Sequence, residues 1–102
     1  MIPALLGAGA DIAEICLRFH VRRLDLFGSA ARETDFTEQS DIDLLVEYEP
    51  GCSPPTLADF LALRDALSTR LGRKVDLVMA GAVRNPYLSA AIERSRRPLH
   101  GA

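Results

Sequence analysis

The chain is poor in the residues that staple or metallate small proteins. Its 102 residues include two cysteines and two histidines. There is no C-x-x-C pair and no cluster with zinc-ligand spacing, so neither a disulfide framework nor a structural zinc organises the fold. Cys16 falls on the apolar side of a candidate helix and Cys52 in a Gly/Ser/Pro loop, and both are expected to be reduced thiols. Lysine is almost missing: eleven of the 12 basic residues are arginine, with Lys74 the exception. Arginine suits bidentate contact with phosphate or carboxylate, though a coding bias gives the same excess. A formal net charge of -2 provides no general attraction to nucleic acid or to an anionic membrane. No apolar run approaches the roughly 20 residues that span a bilayer, and no charged segment precedes the short apolar start. A cytoplasmic protein with no membrane and no direct nucleic-acid contact is expected.

What remains is an ordinary globular composition, 48% hydrophobic and 25% charged. The length fits one domain, residues 1–102, burying roughly 60–65% of its unfolded surface. Ile12, Ile15, Cys16 and Phe19 recur at helical spacing behind Asp11. "VRRLDLFG", residues 21–28, reads as a strand with Leu24 and Leu26 on one face, broken by Gly28. Residues 29–34 can open a short helix. In "DIDLLVEYE", residues 41–49, Ile42, Leu44, Val46 and Tyr48 alternate with the residues between them, the pattern of a half-buried strand. After the loop "PGCSPP", Thr56 and Asp59 form a capping box. The following helix carries a stripe of Leu57, Phe60, Leu61, Leu67 and Leu71 and stops at Gly72. "RKVDLVMA", residues 73–80, is a third strand. A last helix starts near Asn85-Pro86 and runs to about Arg96, and "PLHGA" adds a short edge strand or frays. The order predicts an α/β (α+β) fold, a small mixed sheet with helices packed on it. The crossover through the Thr56 helix makes two of its strands parallel.

Three features of this pattern carry chemistry. Asp41 and Asp43 lie at i and i+2, so they aim two carboxylates to one side of a strand, with Cα atoms about 6.6 Å apart. Like charges that close raise one pKa. A hard divalent cation such as Mg²⁺ relieves the conflict, taking carboxylate oxygens, water and substrate phosphate as ligands. Asp76 interrupts an apolar strand, where a lone buried carboxylate costs several kcal/mol. If its strand neighbours that of Asp43, the three carboxylates meet. Gly28-Ser29, after the first strand, permits close backbone approach to a phosphate, and Arg32 lies one turn on. Separately, each feature has an ordinary reading: a turn, a solvated strand end, a carboxylate paired with a core arginine.

Together, "LFGSAAR", "SDIDLLVEY" and "KVDLV" resemble the minimal nucleotidyltransferases of the DNA-polymerase-β-like superfamily. Gly-Ser is followed by an eleven-residue spacer, Asp-x-Asp, and a third acid on a later strand. The likeness spans nearly the whole chain, including "RNPYLSAAIERSRRPLHGA". It implies Mg²⁺ or Mn²⁺ on Asp41, Asp43 and Asp76, and a nucleoside triphosphate such as ATP at Gly28, Ser29, Arg32 and Ser40. The implied reaction transfers a nucleoside monophosphate with loss of pyrophosphate, and the Asp76 position helps deprotonate the acceptor. Chains this short also resemble the antitoxin half of HEPN–MNT toxin–antitoxin pairs, which implies AMP transfer to a tyrosine of a HEPN toxin. One departure is Glu33, where related sequences commonly carry glycine.

Two other functions compete: a catalytically inactive binding module that neutralises its partner by contact, and a transferase acting on a small molecule. The intact set of three acids favours the enzyme. Sequence leaves open the acceptor, the base preference and whether the chain forms a homo- or hetero-oligomer.

Overall fold

The computed structural model describes residues 5–32, 37, 40–51 and 54–101. The expectations for Glu33 and Cys52 fall outside the described residues. The elements run α1 (Gly9–Arg18), β1 (Val21–Phe27), α2 (Ser29–Arg32), β2 (Ile42–Tyr48), α3 (Leu57–Leu71), β3 (Val75–Met79), α4 (Pro86–Ser95) and β4 (Arg97–His100). The four strands form one mixed sheet in the order β3-β2-β1-β4. β1 is antiparallel to both β2 and β4, whereas β2 and β3 are parallel, joined through α3. The tail therefore does form an edge strand.

Strand alternation sorts the side chains into two layers. Leu24, Leu26, Ile42, Leu44, Val46, Val75 and Leu77 face one way, against Ile12, Ile15 and Cys16 of α1 and Leu63, Leu67 and Leu71 of α3. Burial pushes the Cys16 thiol up to about 11, so it is a packing residue and a poor nucleophile. On the opposite face a smaller cluster of Phe27, Leu45 and Ile92 seats α4 over part of the sheet.

The termini of α3 follow local rules. Thr56 accepts the Asp59 N–H at 3.1 Å and Asp59 accepts the Thr56 N–H at 3.0 Å, and Gly72 closes the helix with φ 66°. The expected apolar stripe is corrected in phase. Leu57 is 73% exposed and Leu61 only half-buried, while Leu63, which the stripe omitted, is fully buried. The helix is leucine-rich on more than one side, so its periodicity alone left the phase open. Leu63, Leu67 and Leu71, at i, i+4 and i+8, make the row that meets the sheet. Leu57 sits in the first turn, beyond that row.

At the far end, Asn85 caps α4 by accepting the N–H groups of Tyr87 (2.9 Å) and Leu88 (3.3 Å), with Pro86 in the first turn. No helix among the described residues is long and apolar enough to cross a membrane.

Candidate active site

Register brings the acidic residues together. On β2, Asp43 stands opposite Phe27 of β1 on one side and Asp76 of β3 on the other. Both acids point away from the main core, because their neighbours Ile42, Leu44, Val75 and Leu77 fill it. Asp41 lies immediately before β2, two residues from Asp43. Lys74 Nζ lies 4.0 Å from Asp41 Oδ2, but the two side chains are 83% and 41% exposed, so the pairing is weak. Asp76 is exposed at the edge of the sheet.

Asp43 bears the electrostatic consequence. Its pKa is raised to about 6, first by burial and then by the charges of Asp76 and Asp41, with Arg32 opposing. Negative charge is thus concentrated at one end of the sheet, offset in part by Arg32 and Lys74. Among the described residues, no three acidic, histidine or cysteine side chains stand together at metal-ligand spacing.

The turn after β1 is built against this carboxylate. Gly28 has φ 70°, and a Cβ there would overlap Oδ2 of Asp43. Only glycine satisfies both the left-handed backbone and the close approach. The Gly28 carbonyl accepts the N–H groups of Ala31 and Arg32, both at 3.1 Å, which starts α2. Gly28 itself donates its N–H to Ser95 Oγ at 3.2 Å. Arg32 ends α2, exposed and close enough to Asp43 to act on its charge. The Ser29 side chain lies outside what the structure describes.

Ser40 occupies a different setting. Its Oγ accepts the Thr37 N–H at 3.0 Å and lies 3.2 Å from Thr37 Oγ1. Arg73 ties the same turn down by donating to the carbonyls of Thr37 (2.8 Å) and Ser40 (2.6 Å). The Ser40 hydroxyl therefore closes the turn that delivers Asp41 to the sheet. Gly28, Arg32, Asp41, Asp43 and Asp76 gather at one end of one sheet face, and Ser40 closes the turn that leads into Asp41.

The sequence reading missed a fourth carboxylate on this face. Asp25 of β1 is completely buried. Arg96 donates to it from Nε at 2.6 Å, and Arg23 from Nε at 3.1 Å. The signal was present: Asp25 interrupts "VRRLDLFG" much as Asp76 interrupts its own strand. What local pattern did not reveal is the partner, 71 residues away in the chain.

Comparison with known proteins gives the family and the fold. The nucleotidyltransferase domain family matches residues 10–99. A protein of Methanocaldococcus jannaschii, provisionally named a protein adenylyltransferase, is 46% identical over 76 residues, 74% of this chain and 74% of its own. A solved structure provisionally named a minimal nucleotidyltransferase aligns with a TM-score of 0.73 at 35% identity, covering 92% of this chain and 91% of that one. The fold is also shared with a chain from a complex of tri-AMPylated Shewanella oneidensis HEPN toxin with MNT antitoxin. There the TM-score is 0.67 at 19% identity, with 96% of this chain and 73% of that one covered.

Proposed function

The chain belongs to the nucleotidyltransferase domain family, and from that premise we propose that it transfers AMP from ATP to a tyrosine hydroxyl of a HEPN-type toxin, and so acts as an antitoxin. The observation that carries the proposal is the register of Asp43 with Asp76 beside Gly28. It concentrates carboxylates where the backbone can approach a triphosphate. The protein-directed activity is supported by the name of the relative that is 46% identical. The choice of partner rests on the complex whose MNT component accompanies an AMPylated HEPN toxin.

The donor chemistry fits a hard divalent cation. Asp41, Asp43 and Asp76 offer only oxygen ligands, and the pKa of Asp43, raised first by burial and then by the charges of Asp76 and Asp41, is one that a bound cation would lower. Asp41, Asp43 and Asp76 are the residues that would hold Mg²⁺ or Mn²⁺, which would supply neutralisation of the charge developing on the triphosphate. The protein's own groups do the rest. The Gly28-Ser29 turn and the Arg32 guanidinium hold and orient the phosphates. Asp76, open at the sheet edge, accepts the proton of an acceptor hydroxyl as it attacks the α-phosphorus and pyrophosphate leaves. An edge position suits an acceptor that arrives on a separate chain.

The test is incubation with ATP labelled in the α-phosphate, Mg²⁺ and a HEPN-type toxin supplied as the candidate partner. Label is expected on a partner tyrosine, and its appearance should require Asp43. A folded pair that shows no label at any divalent cation concentration would falsify the reading.

A further inference from the structure

Three consecutive residues where α4 runs into β4 are tied to the turn and strand that frame the site. Ser95 Oγ accepts the Gly28 N–H at 3.2 Å. Arg96 reaches the buried carboxylate of Asp25 through Nε at 2.6 Å and a second nitrogen at 2.5 Å. Arg97 Nε donates to the Ala31 carbonyl at 3.2 Å. The segment therefore holds both ends of the Gly28–Arg32 stretch, and its middle residue is anchored on the one fully buried charge among the described residues.

We infer that Ser95-Arg96-Arg97 is a strap that positions the nucleotide-binding turn, with Ser95 as a positioning residue for Gly28. The inference rests on the nucleotidyltransferase reading and extends it to residues outside the acidic set and the glycine-serine turn. Its physical basis is directional. The Ser95 hydroxyl donates to the Ala91 carbonyl at 3.1 Å, back along its own helix. That fixes its rotamer and leaves a lone pair facing Gly28. Gly28 in turn lies against Asp43, so a rotation of its peptide moves the turn relative to the carboxylate. Arg96 is held in place, because leaving Asp25 would leave that buried charge to Arg23 alone. Arg97 fixes the other end of the same short stretch. Substrate need never touch these three side chains for them to set how well the turn meets a phosphate.

The strap consumes the Gly28 N–H, which separates its role from that of a phosphate ligand. That amide is committed to the protein, and its job is to hold the peptide plane from which the rest of the turn projects.

The experiment compares Ser95→Ala with Ser95→Thr, which retains a hydroxyl. Each is titrated calorimetrically with ATP and Mg²⁺, and exchange of the Gly28 amide is followed by NMR. Ser95→Ala should bind ATP about 3- to 10-fold more weakly, the range for one lost hydrogen bond. It should also speed Gly28 amide exchange relative to the amides of β2. Its melting temperature without nucleotide should stay close to wild type. Ser95→Thr should restore both binding and protection. Ser95→Ala binding ATP as wild type does overturns the strap. Weakened binding that Ser95→Thr fails to restore, matched by a fall in melting temperature, also overturns it, as a merely structural contact. Wild-type protein that binds no ATP overturns the nucleotide reading itself, a result distinct from either of these.

Discussion

Two carboxylates on one sheet face have opposite surroundings. Asp25 and Asp43 sit on adjacent antiparallel strands, each pointing away from the main core. Asp25 is completely buried, yet two arginines reach it, one from its own strand and one from the end of α4. Asp43 is only partly buried, and its neighbours are Asp41 and Asp76, with Arg32 a partial counterweight. One end of the face has its charge matched by the protein. At the other end Arg32 offsets the charge only in part. The difference is between a carboxylate matched by the fold and one that the fold matches less well.

The largest expected effect breaks the unmatched end. Asp43→Asn keeps the shape of the side chain and removes its charge. AMP transfer to the partner should fall by on the order of 10²–10³-fold or more, the usual cost of losing an electrostatic element of a transition state. The melting temperature without metal should hold or rise, because repulsion with Asp41 and Asp76 is gone. A quantitative transfer assay alongside thermal melts checks both. Reduced stability with unchanged transfer would make Asp43 part of the scaffold.

The matched end should respond the other way. Arg96→Met leaves Asp25 buried with Arg23 alone. Breaking a buried pair by deleting one partner typically costs 3–5 kcal/mol; the remaining arginine lowers that to about 2–4 kcal/mol here. Asp25→Leu combined with Arg96→Met should recover much of the loss, since the buried charge itself is then removed. Urea denaturation of the single and double variants measures this. Equal losses in the two would mean that α4 docks through Phe27, Leu45 and Ile92 rather than through the ion pair.

The contrast also separates what the sequence reveals from what it hides. Strand periodicity gave residues 41–49 and 73–80 as strands and a crossover helix made a parallel pair expected, but that the two strands are neighbours, with Asp43 opposite Asp76, came from the structure. Those are local rules with one long-range consequence. The phase of α3 was ambiguous because leucines occupy more than one of its sides, and only the sheet could choose Leu63 over Leu57 and Leu61. Asp25 and its partner Arg96 lie 71 residues apart, and Ser95 and Gly28 lie 67 apart. No periodicity links such pairs, so the compensated half of the face became legible only in three dimensions. Ser40, a nucleotide ligand by the resemblance, has a hydroxyl that hydrogen-bonds within its own turn to Thr37, a contact that no local pattern announced.

Gly28→Ala tests how closely the turn and the unmatched carboxylate are fitted. A left-handed φ costs a non-glycine residue roughly 1–2 kcal/mol, and the new methyl would meet Asp43 Oδ2. Stability should fall by about 1–2 kcal/mol, and ATP affinity should fall with it, because the turn must move away from Asp43. Gly72→Ala is the control. It carries a similar φ of 66° but has open space around the new Cβ, so it should lose a similar stability and leave ATP binding unchanged. If the two variants bind ATP equally well, the close approach of Gly28 to Asp43 has no part in nucleotide binding.

The smallest expected effect is a pH dependence, and its sign is the informative part. The folded-state pKa of Asp43 is about 6, above the roughly 3.9 of an aspartate in an unfolded chain. Below about pH 4 the group is protonated in both states and costs nothing. Between about pH 4 and pH 6 the unfolded chain releases its proton first, so the folded protein binds more protons and loses stability as pH rises. Above about pH 6 the penalty is complete and flat. Asp59 runs the other way: its pKa is lowered by the Thr56 backbone and side-chain hydrogen bonds, so its contribution to stability is present above the ordinary aspartate range and is lost on acidification. The wild-type curve mixes the two. The stability of Asp43→Asn minus that of wild type, measured without metal, cancels the capping contribution. It should be near zero at pH 4 and rise to a plateau of about 1 kcal/mol by pH 7, after discounting the shift for the solvent that still reaches the group. In a protein of this size that is about 4–8 °C. Adding Mg²⁺ and ATP at pH 7 should reverse the sign, since wild type then gains from a ligand that the variant binds poorly. A difference that is flat from pH 4 to pH 7 would mean that Asp43 is matched after all, and the two ends of the sheet face would no longer differ in kind.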